Sequence, residues 1–62
     1  MYVVGDKIKL NKKKENYPMI RDDDWGNYIN RQIVAVISPV NFLVKMLRCD
    51  REEIINIEDI EK

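Results

Sequence analysis

Twenty mostly polar residues, 11–30, separate a short strand-like opening, Gly5 to Leu10, from a dense run of strand-forming residues at Arg31 to Ile37. This interruption limits the fold more than any other feature. A structureless loop of that length is uncommon in a small domain unless it is functional or folded onto the body. From Asn16 to Asn30 it mixes Pro18, Gly26 and three asparagines with large apolar side chains, notably Tyr17, Ile20, Trp25 and Tyr28. Leaving the Trp25 and Tyr28 rings in water would forgo a large apolar burial. They are therefore expected to clamp the loop over the open end of a small curled sheet.

The flanking segments read as strands. Lys7-Ile8-Lys9-Leu10 alternates polar and apolar residues, the period of a strand with one wet face, and Gly5-Asp6 before it is turn chemistry. Gln32 to Ile37 is apolar on both faces and rich in β-branching, which predicts a central strand. Ser38-Pro39-Val40-Asn41 predicts a tight turn, with Asn41 in the left-handed conformation that closes such hairpins. Phe42 to Arg48 predicts the partner strand, Asp50-Arg51-Glu52 a second turn, and Glu53 to Ile57 a further strand. Residues 58–62 suit one helical turn or a last short strand.

A C-terminal helix over residues 50–61, giving an α+β fold, is the alternative. Asp50 and Glu53 have capping-box spacing. Against it, Ile54, Ile55, Ile57 and Ile60 spread around a helix instead of forming a stripe, and isoleucine favours the pleated state. The strand reading is preferred. The predicted fold is a single all-β domain over residues 1–62, a small, partly open barrel of about five strands. Its core is expected from Ile8, Leu10, Ile33, Ala35, Ile37, Val44, Met46, Ile55 and Ile57, with Trp25 sealing one end.

Size and composition narrow the function classes. At 62 residues the chain is near the lower limit for a core without staples, with little room for a deep catalytic pocket. Eleven basic and eleven acidic residues cancel, so no overall field selects a polyanion. Residues 1–31 carry a mild excess of +2 and residues 32–62 one of −2. With no histidine, the usual general base, the commonest metal ligand and the middle of a nucleophilic triad are all missing. Cys49, the only cysteine, has no activating base and reads as a small, partly buried hydrophobe.

Asp22-Asp23-Asp24 lacks the alternate spacing and closing glutamate of a helix-loop-helix calcium site. The two glycines are too far apart for a phosphate cradle. No enzyme, metal or cofactor is predicted. The lone thiol, together with the lack of any long apolar stretch, predicts a cytoplasmic protein without a membrane span.

The element order resembles the Src-homology-3-like small barrels, which include the KOW-type nucleic-acid modules. The resemblance rests on Gly5-Asp6-Lys7-Ile8-Lys9-Leu10, the long first loop, Asn30-Arg31-Gln32-Ile33-Val34, and the close at Asn56-Ile57-Glu58-Asp59-Ile60-Glu61-Lys62. It spans nearly the whole chain, and short barrels of this kind are common in phages and mobile elements. Peptide-binding members of the group use an aromatic-lined groove.

Three binding readings follow. The preferred one is a protein-binding module presenting Tyr17, Ile20, Arg21, Trp25 and Tyr28, since aromatics with arginine are typical of interface hot spots. The second is nucleic-acid binding through Lys7, Lys9, Lys12, Lys13, Lys14 and Arg31, with tyrosines for stacking. The third is self-association through an apolar sheet face carrying Val34, Val36, Leu43 and Leu47. The simplest alternatives, rings that only cap the core and lysines that only solvate a face, compete with the first two readings.

Overall fold

A computed structural model describes all 62 residues. Four antiparallel strands form one sheet in sequential order: β1 (Lys7–Lys9), β2 (Asn30–Val36), β3 (Asn41–Met46) and β4 (Glu52–Asn56). A short helix, α1 (Trp25–Ile29), runs directly into β2. The sheet is not closed into a barrel. In place of a fifth strand, the chain makes the 3-10 turn Ile57–Asp59 and returns to the first strand by a single antiparallel bridge between Leu10 and Ile60. Two backbone bonds flank that bridge: the Asn11 amide donates to the Asp59 carbonyl at 2.7 Å and the Glu61 amide to the Lys9 carbonyl at 2.8 Å.

The C-terminal region is strand and not helix. Its capping pair lies further on than Asp50 and Glu53. Asn56 accepts from the Glu58 amide at 2.9 Å, while Asp59 accepts from the Asn56 amide at 3.2 Å, a capping box that holds the start of the 3-10 turn. At the front of the sheet Gly5 adopts φ 95°, a region that side chains with a Cβ rarely enter, and makes the turn that delivers β1. Across that turn the Gly5 amide donates to the Ile33 carbonyl, and the Ile33 amide to the Asp6 carbonyl.

The β2–β3 hairpin closes differently from the expectation. No non-glycine residue has a positive φ, so Asn41 is not left-handed; it is the first residue of β3. The Ser38 hydroxyl does the closing by accepting from the Val40 and Asn41 amides at 3.3 and 3.1 Å.

Seven apolar residues form the core: Ile8, Leu10, Ile33, Phe42, Val44, Ile55 and Ile60. Five of them were expected; Phe42 and Ile60 were not. Ala35 and Met46 are only half-buried. Ile57 is half-buried and packs against the core, as do Tyr2 and Ile29.

Ile37 is 54% exposed, which corrects its assignment to the core. The cause is a β-bulge. Ile33 faces Val44, yet Ala35 faces Leu43, so Val34 is an extra residue and the inside–outside alternation inverts beyond it. Ile37→Thr is accordingly expected to cost less than about 1 kcal/mol in urea denaturation, the range of surface changes. A loss of 2 kcal/mol or more would return Ile37 to the interior.

Trp25 also departs from its expected place. It is half-buried but is not among the residues packed against the core, a role taken at its end of the loop by Ile29. Cys49 lies exposed in the β3–β4 connection and is not the partly buried hydrophobe expected.

Candidate functional site: an aromatic cluster edged by cations

The long first loop is built from short helical pieces. A 3-10 turn at Lys14–Asn16 precedes Tyr17, and a second at Asp22–Asp24 runs into α1. Three aspartates at the front of a helical segment suit the positive end of its dipole. The segment stops at Asn30, whose backbone amide and side-chain Nδ2 both donate to the Gly26 carbonyl, the latter at 2.6 Å. Trp25 and Tyr28, three apart in this helix, share one side of it.

Tyr17 completes a cluster with them. Ring centres lie 5.9 Å apart for Tyr17 and Trp25, 5.4 Å for Tyr17 and Tyr28, and 5.6 Å for the stacked pair Trp25 and Tyr28. These are favourable aromatic separations. All three rings are half-buried, so the cluster keeps an open side.

Cations ring the cluster. Lys12 donates to the Tyr17 hydroxyl at 3.2 Å and stands 5.5 Å from the centre of Tyr28. Its distance of 5.0 Å to the Tyr17 ring centre reflects that hydroxyl bond more than a position over the face. Lys14 lies 5.9 Å from the Trp25 ring centre and pairs with Asp22 at 3.5 Å. Of the other expected contact residues, Ile20 is half-buried, and Arg21 is exposed and paired with Asp23 at 3.2 Å. The loop therefore brings Tyr17, Trp25 and Tyr28 into mutual contact, while Ile20 and Arg21 are not part of the ring cluster.

Partial burial pushes the Lys12 pKa down, but the Tyr17 hydrogen bond and the neighbouring Tyr28 phenol outweigh it, and the net shift is upward from 10.5. The folded chain thus holds this proton more tightly than the unfolded one. The linked stability is complete below the ordinary lysine value and disappears as the pH climbs through the raised one. Melting temperatures measured from pH 9 upward should fall more steeply for the native chain than for Lys12→Met. Equal slopes would contradict the linkage.

The expected basic stretch is divided by the fold. Lys7, Lys9 and Lys13 are exposed, whereas Lys12 and Lys14 are drawn against the tyrosines and Trp25. Arg31 is drawn almost wholly inward, away from the exposed lysines with which it was grouped. Its side chain is only 4% exposed, and its Nη1 donates to Glu53 at 2.7 Å. Its Nε donates to the Tyr28 carbonyl at 2.8 Å, and the guanidinium lies 5.3 Å from the Tyr28 ring centre. The signal was available in the alternation: Arg31 shares parity with buried Ile33, and Glu53 with buried Ile55.

A feature absent from the sequence reading lies toward the β2–β3 hairpin. Tyr2 packs edge-on against Phe42, with ring centres 5.7 Å apart, and beside them opens an apolar cleft of about 440 Å³. Val36, Ile37, Pro39 and Ile57 complete most of its wall. No helix is long and apolar enough to cross a membrane. No protein-family model, curated protein or solved structure matches the chain.

Proposed function

We propose that the chain is a non-enzymatic binding module of Src-homology-3-like build that recognises an extended segment of a protein partner through Tyr17, Trp25 and Tyr28. The carrying observation is the open aromatic cluster, which stands apart from the hydrophobic core. Rings already packed on one another lose little further freedom on binding, which favours their use as anchors. The build is supported by the long first loop, the sequential antiparallel strands, and the 3-10 turn that returns Ile60 to Leu10.

Trp25 is both anchor and reporter, being the only tryptophan. Capped peptide pools titrated against the protein are expected to change its emission. Tyr17→Ala should lower affinity at least tenfold, the scale of a hot-spot ring, while costing only about 1 kcal/mol of stability. Unchanged affinity in a folded Tyr17→Ala variant would remove the cluster from recognition.

A further inference from the structure

We propose that the segment bound at the aromatic cluster carries an acidic side chain, and that a polar pocket beside Tyr28 receives its carboxylate. This inference rests on the protein-binding reading above. The pocket, about 140 Å³, is lined by Tyr28, Arg31, Met46, Arg51 and Glu53. Tyr28 belongs to both the pocket and the ring cluster, so one ligand spans the two.

Charge and hydrogen-bonding capacity both point to an anion. Two guanidiniums face one carboxylate, and Arg51 makes no ion pair within the chain. Lys12, 5.5 Å from the Tyr28 ring centre, adds a third positive charge nearby. Arg31 spends Nε on the Tyr28 carbonyl and Nη1 on Glu53, and its Nη2 has no partner. No fully buried side-chain nitrogen or oxygen in the molecule lacks a hydrogen-bond partner, so this Nη2 is not wholly sealed from solvent. Of the two clefts, Arg31 lines only this pocket.

The class of anion follows from what shares the pocket. A carboxylate taking Nη2 of Arg31 and the side chain of Arg51 would leave Nη1 on Glu53, with one guanidinium bridging two carboxylates. Glu53 makes the same place unfavourable for a dianionic phosphate, which would meet its charge at close range. The volume corresponds to about five water molecules, enough for a carboxylate and its methylenes.

The test uses the full chain and three capped decapeptide pools, identical except for a central glutamate, glutamine or phosphoserine, with a ten-residue oligothymidylate alongside. The glutamate pool is expected to bind about tenfold more tightly than the glutamine pool, the gain of a charge-assisted contact. Arg51 is exposed, so Arg51→Gln should fold normally and reduce the preference to about threefold or less. Equal binding of the glutamate and glutamine pools, with Tyr17→Ala still weakening both, would overturn the carboxylate site and leave the aromatic reading standing. A glutamate preference indifferent to Arg51→Gln, or tighter binding of phosphoserine or oligothymidylate, would also overturn it. Failure of every peptide pool to bind would remove both readings together.

Discussion

Leu10→Ala should lower the melting temperature by about 15–20 °C and leave a large fraction of the chain unfolded at 37 °C. Leu10 is 1% exposed in a core of only seven residues. Truncating a buried leucine costs about 3 kcal/mol, because the cavity left behind adds to the lost transfer energy. A domain of this size has about 3–5 kcal/mol in total, and each kcal/mol corresponds to roughly 4–8 °C.

Position compounds the loss. The Leu10 amide donates to the Ile29 carbonyl at 2.8 Å, which ties together the two ends of the long loop, and Leu10 also bridges to Ile60. Circular dichroism and Trp25 emission should therefore report one coincident transition at lower denaturant. Leu47→Ala, at a 44% exposed position, supplies the contrast and should lose less than about 1 kcal/mol. Similar losses for the two variants would contradict this account of the core.

Glu53→Ala is expected to cost about 2 kcal/mol in urea denaturation, far more than a half-exposed carboxylate ordinarily contributes. The cost falls on the partner. Removing Glu53 leaves the Arg31 guanidinium, 4% exposed, with the Tyr28 carbonyl as its only protein acceptor. Breaking a fully buried pair costs about 3–5 kcal/mol. The lower figure applies here because the Glu53 side chain is 46% exposed, so water can reach the gap. Arg31→Met with Glu53→Leu should recover most of the loss, since an apolar pair needs no compensating charge. A single-variant loss below about 0.5 kcal/mol would show that Arg31 finds solvent readily and would contradict its dependence on Glu53.

Much of the strand plan was legible because β-alternation is local. Ile8 and Leu10, and Ile33 and Ile55 in their own strands, are inward positions that can be read two residues at a time. The return of the chain after Asn56 was legible only in outline. A last strand and a helical turn compete over five residues, and the outcome combines a 3-10 turn with a single bridge. Of the site, the ring-bearing loop was recognisable from its aromatic content. Which rings meet was not, since that depends on α1 placing Trp25 and Tyr28 on one side with Tyr17 folded back against them.

Three outcomes rested on long-range pairing. The extra residue at Val34 inverts the pattern at Ile37 because register is a property of two strands together, and no single strand contains it. Arg31 goes inward because Glu53, distant in the chain, arrives on the same sheet face to meet it. Trp25 stands off the core because its neighbours are Tyr17 and Tyr28, while Ile29 from the same helix packs against the core instead. Composition and local pattern thus sufficed for a mostly β fold with an aromatic loop. Tertiary contacts alone decided which charge is buried and where the open surfaces lie, because burial depends on neighbours that only the folded chain assembles.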